Sequence, residues 1–148
     1  MKQPVHVRIQ GLSWDEEGRE DSITTISEGD YLQKEEKHHL IYKEYLEGVE
    51  APVSNRMEIS RDAVRCIKKG PIQVDFLFLP GETTKGEYAT PLGSYSYELY
   101  TKELILHKEE DKLCVSLEYL LTFPPADEQL RKLLIEVKKR KEPSEKHM

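Results

Sequence analysis

LCVSLEYLLTF, residues 113–123, decides the fold class: Leu113, Val115, Leu117, Tyr119 and Leu121 recur at every second position. Successive side chains leave a pleated strand on opposite faces, so period two marks a β-strand with one buried side. PIQVDFLFLP (71–80) repeats the pattern through Ile72, Val74, Phe76 and Phe78, with Gly70 and Pro71 before it and Pro80 and Gly81 marking the next turn.

Working outward, Val5, Val7 and Ile9 alternate with His6, Arg8 and Gln10, which predicts a half-buried strand that Gly11 and Trp14 interrupt. DEEGRED (15–21) reads as a loop. ITTISEGDYLQK (23–34) is a weaker strand in which Gly29 suits a bulge or a sharp bend. EEK (35–37) is the polar interruption of a hairpin leading into HHLIYKEYL (38–46). APVSNRMEI (51–59) carries Val53, Met57 and Ile59 around Asn55, and DAVRCIKKG (62–70) leads into the 71–80 strand. TTKGEYATPLGSYSYELYTKELILH (83–107) is rich in Tyr and Thr, turns near Pro91 and Gly93, and sets Tyr95, Tyr97 and Leu99 on one face.

The C-terminal segment reads two ways. Leu130, Leu133, Leu134 and Val137 have helical spacing behind a cap at Asp127, whereas Leu133, Ile135 and Val137 alternate as in a strand. The local helix signal is the stronger. KKRKEPSEKHM (138–148) reads as charged tail, giving one domain over residues 1–140 and a flexible tail over 141–148. Roughly eight to ten short strands in one domain need protected edges, which a sandwich or a closed antiparallel barrel provides; the barrel is preferred.

A chain of 148 residues suits a single core. Its 22 basic and 28 acidic residues leave a net charge of -6, which disfavours unspecific attraction to nucleic acid or to an anionic membrane. MKQPVHVRIQ (1–10) has neither a basic-then-apolar targeting pattern nor a membrane-spanning run, so the expectation is a cytoplasmic protein. With only Cys66 and Cys114, a disulfide framework and an all-cysteine zinc site are excluded, and both are expected to be free structural thiols.

Three longer runs carry a resemblance: GDYLQKEEKHHLIYKEYLE (29–47), VRCIKKGPIQVDFLFLPG (64–81) and EYATPLGSYSYELYTKEL (87–104). The order of Gly29 and Tyr31, Tyr42 and Glu44, Lys69 and Gly70, then Thr90, Pro91 and Gly93 resembles the small bacterial YwiB-like family of uncharacterised β-barrel proteins, over about residues 4–138. The resemblance implies an all-β fold, a single antiparallel calycin-like (lipocalin-like) β-barrel, with LLIEVKK (133–139) as its closing strand. It supplies no catalytic or ligand-binding residue, and fold alone assigns no transport.

A barrel can enclose a small apolar or amphipathic molecule. Tyr88, Tyr97 and Tyr119 are the candidate aromatics of such a site, and Arg65 the candidate partner for a ligand acid; ordinary sheet packing and a surface position are the competing readings. His38 and His39 are adjacent and so face opposite ways, which disfavours a shared metal, and no cofactor motif is present. Cys66 or Cys114 would act as a nucleophile only beside a base such as His38 or His107, and Glu35 and Glu36 read as solvated turn charges. The favoured function is therefore a noncatalytic intracellular binder of a small molecule. A structural or protein-interaction module with a filled barrel comes second, an enzyme third, and a homo-oligomer stays open.

Overall fold

The computed structural model describes residues 2–140; the expected tail at 141–148 lies outside the described residues. Ten strands follow in order: β1 (Gln3–Trp14), β2 (Glu20–Lys34), β3 (Lys37–Glu44), β4 (Val53–Ile59), β5 (Val64–Lys69), β6 (Val74–Phe78), β7 (Thr83–Thr90), β8 (Gly93–Lys108), β9 (Lys112–Thr122) and β10 (Gln129–Lys139). They form one antiparallel sheet in the order β6-β5-β4-β3-β2-β1-β10-β9-β8-β7. The sheet curls until its edge strands, β6 and β7, come together, giving a nearly closed barrel.

Alternation decides which residues face the interior. Leu113, Val115, Leu117, Tyr119 and Leu121 of β9 are all buried, as are Val5 and Val7 of β1 and Val64 and Cys66 of β5. On β8 the pairing passes from Thr101↔Tyr119 to Glu103↔Glu118 and skips Lys102. This bulge shifts the inward phase by one residue. Tyr97, Leu99 and Thr101 face inward before it, and Leu104 and Leu106 pack on the core after it.

Three expectations are corrected. The segment with helical spacing is β10, laddered to β1 from Val5↔Lys139 to Ser13↔Arg131 and to β9 from Gln129↔Leu121 to Lys138↔Lys112. Two complete ladders outweigh the propensity of a short helix, which is marginal in water by itself. β1 does not stop at Gly11 but runs to Trp14. At Gly29 the register continues unbroken, so there is no bulge. Glycine is needed there for close approach, since a Cβ would lie 2.6 Å from the Ile41 carbonyl oxygen.

The seam between β6 and β7 has no full ladder. Gln73 and Ala89 exchange backbone hydrogen bonds at 3.0 and 2.9 Å, and Gly81 N donates to the Thr101 carbonyl at 2.8 Å. Side chains supply the rest: Thr84 Oγ1 donates to the Leu77 carbonyl at 2.7 Å and the Tyr97 hydroxyl to the Asp75 carbonyl at 2.8 Å. Tyr97 comes from β8, so its ring must cross β7 to reach β6. It crosses at its cross-strand partner Gly86, where a Cβ would lie 2.6 Å from the Tyr97 hydroxyl. The glycine leaves the slot that the ring occupies.

One end of the barrel is filled by Val5, Leu40, Ile59, Val64, Leu113 and Val137. There His38 is buried and its Nδ1 lies 2.6 Å from the Tyr31 hydroxyl. Burial, aided by the charges of Lys108 and His39, holds the imidazole below its ordinary pKa of 6.5.

Tyr97→Phe leaves the Asp75 carbonyl without its donor and is expected to cost about 1–3 kcal/mol in urea unfolding. Gly86→Ala drives a methyl into the Tyr97 ring and is expected to cost at least as much; a neutral result for both would remove the seam from the account. Thr101 Oγ1 is the buried side-chain polar atom without a partner among the described residues, so Thr101→Val should hold or raise the midpoint. As pH falls, the unfolded chain protonates at His38 before the folded one, so stability should decline below about pH 6.5. Urea midpoints at pH 7.5 and 5.0 should differ less in His38→Gln than in the wild type, and equal differences would contradict this.

Candidate functional site

At the end opposite His38 the inward stripes stop short of one another and leave a cavity of about 410 Å³. Sites for small molecules run roughly 300–1,000 Å³. Met57, Phe78, Leu99 and Leu121 line its inner part, and Phe76, Tyr88 and Phe123 line the side nearest the seam. These rings pack on one another, with centroids 6.1 Å apart for Phe76 and Tyr88 and 5.8 Å for Tyr88 and Phe123. Phe78 meets Tyr119 edge-on at 5.0 Å. The wall is thus rigid aromatic surface braced by the tyrosine strap behind it, since Tyr97 contacts both Phe76 and Phe123.

The opposite side is thinner. β2 bonds to β3 only from Gly29 to Lys34, so residues 20–28 pair with β1 alone. Ile23 and Thr25 of this stretch line the cavity and are exposed as well. Gly11 of β1 also lines it, and a Cβ there would meet nothing nearer than the Ile23 carbonyl oxygen at 4.0 Å.

Polar groups enter where charged residues continue an inward stripe. Lys68 follows Val64 and Cys66 on β5, Glu44 follows Leu40 and Tyr42 on β3, and Arg131 precedes Leu133 and Ile135 on β10. Lys68 Nζ donates to Glu44 Oε1 at 3.0 Å and to Asn55 Oδ1 at 2.7 Å, while Asn55 Nδ2 donates to Glu44 Oε1 at 3.3 Å. That set satisfies itself. Arg131 differs, because its Nε donates to Gln129 Oε1 at 2.8 Å and it meets no carboxylate within ion-pair distance among the described residues. It stands directly across from Tyr119. Burial raises the Tyr119 hydroxyl pKa, and Arg131 draws it back.

Of the four residues singled out from sequence, Tyr88 and Tyr119 come together on the cavity. Tyr97 lies behind the aromatic wall, 2 % exposed, with its hydroxyl engaged at the seam. Arg65 lies between the inward-facing Val64 and Cys66, on the outer face of β5, where Nε and Nη2 grip Asp75 at 2.9 and 2.6 Å. The ion pair holds the Asp75 carboxyl below its ordinary range. Sequence reasoning missed Arg131, Lys68, Glu44 and Tyr42. Their signal was phase: each continues an inward stripe of its strand.

The cavity walls offer little covalent chemistry. Burial pushes the Cys66 thiol up to about 11, so at neutral pH it is a protonated packing group. The Tyr42 hydroxyl is raised as well, again chiefly by burial, with the nearby Glu44 carboxylate adding to it. His38 and His39 do face opposite sides: His38 meets Tyr31 inside, and His39 Nδ1 lies 3.9 Å from Glu58 outside. Among the described residues no three His, Cys, Asp or Glu side chains gather as a metal site. Among the described residues no helix is long and apolar enough to cross a membrane.

A family model described as a domain of unknown function (DUF1934) matches residues 7–133. The crystal structure of the YwiB protein from Bacillus subtilis superposes with a TM-score of 0.83 at 20% sequence identity, covering 95% of this chain and 94% of that one. At that identity the likeness concerns the fold. Comparison with curated proteins gives no match. With nearly the whole barrel inside the matched range, the chain belongs to the DUF1934 family, whose fold it shares with the YwiB protein.

Proposed function

We propose that this protein is a noncatalytic, intracellular β-barrel that binds a small apolar or amphipathic molecule in the open end of its lumen, in the manner of a calycin-like (lipocalin-like) barrel. The observation that carries the reading is the cavity of about 410 Å³ with Phe76, Tyr88 and Phe123 on one side and Met57, Leu99 and Leu121 within. An apolar wall of this size left facing water is unfavourable by roughly 25 cal/mol per Å², so a ligand that covers it gains that amount. The charged groups sit on the same cavity as this apolar surface, which suits a ligand with one polar end.

A second reading, an interaction module, draws on the outer surface near β2, where Ile26, Ile41 and Tyr45 are exposed together. It needs no lumen. The two readings separate on a substitution inside the barrel.

Gly11→Leu fits the backbone and points a side chain into the cavity. The neutral probe N-phenyl-1-naphthylamine should bind the wild type at one saturable site with enhanced, blue-shifted emission. Gly11→Leu should weaken it at least tenfold while leaving thermal unfolding essentially unchanged. Absence of probe binding, or equal binding by both proteins, would contradict the lumen as the site.

A further inference from the structure

We infer that the ligand of this cavity is a monoanion, a carboxylic acid on an apolar body, whose carboxylate is held by Arg131. The inference rests on the lumen reading above and adds the chemical class of the ligand. Among the described residues three charged side chains line the cavity: Glu44, Lys68 and Arg131. Glu44 and Lys68 neutralise each other at 3.0 Å, with Asn55 completing their bonds. Among the described residues Arg131 is left as one uncompensated positive charge beside apolar surface.

Its setting is that of a receptor rather than of a structural ion pair. Gln129 takes the Nε proton and the Tyr119 hydroxyl lies against the guanidinium, so its partners among the described residues are neutral and none is a carboxylate. The guanidinium N–H donors form the planar fork that matches a carboxylate with two parallel bonds.

Two hydroxyls complete the case. Tyr42 is 5 % exposed, lines the cavity and makes no side-chain hydrogen bond among the described residues. Tyr88 is half-buried, lines the cavity as well and likewise makes no side-chain hydrogen bond among the described residues. Both hydroxyls open onto the cavity rather than being sealed in the core, so each can donate to an acceptor that enters it. A single positive charge with neutral donors nearby selects a monoanion. A phosphate dianion would keep one negative charge unmatched.

The test uses the full chain and displacement of N-phenyl-1-naphthylamine by two titrants of equal length, decanoate and decanamide, at pH 7.5. The wild type should prefer decanoate by roughly tenfold or more, as charge-assisted bonding predicts. Arg131→Gln should bring that ratio close to one, and Arg131→Lys should restore part of it, with thermal midpoints confirming that both variants fold. If the probe binds but decanoate and decanamide compete equally in the wild type, the acid assignment is overturned while the lumen site stands. A preference retained in Arg131→Gln overturns the role of Arg131. If the probe does not bind at all, the lumen reading fails and this inference with it.

Discussion

The hydrogen bond from the Tyr97 hydroxyl to the Asp75 carbonyl, beside the Gln73–Ala89 backbone pair and the Thr84 bond to Leu77, holds the seam on which the barrel's closure depends. A ten-stranded sheet whose first and last members meet without a full ladder would expose two rows of unpaired backbone groups, the usual route to edge-to-edge association. Here the mismatch is bridged from the third strand over. β8 sends an aromatic ring across β7, β7 carries glycine at the crossing, and β6 offers the acceptor. A larger residue at Gly86, or an aromatic without a hydroxyl at Tyr97, would break the same link in different ways.

That closure also shapes the candidate site. Tyr97 packs against Phe76 and Phe123, which with Tyr88 make the firm side of the cavity. On the far side β2 leaves β3 above Gly29, and the wall ends in a stretch of β2 that pairs with β1 alone. The barrel therefore has a filled end, a rigid wall and a pliable wall. A ligand reaching the lumen past Ile23 and Thr25 would cross a stretch of β2 bonded on one side only.

Much of the fold was legible because water removal leaves a strong trace in alternation. β9 and β6 announce themselves in the spacing of Leu113 to Leu121 and of Val74 to Phe78. β10 did not, for a definite reason: Leu130 and Leu134 are half-buried on its outer side, and with Leu133 and Val137 they imitate a helical face. Gly11 looked like an interruption because a lumen position beside a cavity needs no side chain. The site was half legible. Tyr88 and Tyr119 could be named from residue type, but the anion-binding candidate could not, since Arg65 and Arg131 differ only in phase against their neighbours. Arg65 alternates with Val64 and Cys66 and faces out, whereas Arg131 is in step with Leu133 and Ile135 and faces in. Only the settled assignment of β10 as a strand makes that phase readable.

The central claim is a barrel filled at one end and open at the other. Crystals pressurised with xenon test it most directly, because xenon enters apolar cavities without needing a particular chemistry. The account predicts xenon density among Met57, Leu99, Leu121 and Phe76, with the ring of Tyr97 still over Gly86. A lumen closed by side chains of this protein, with no xenon in it, would contradict the account.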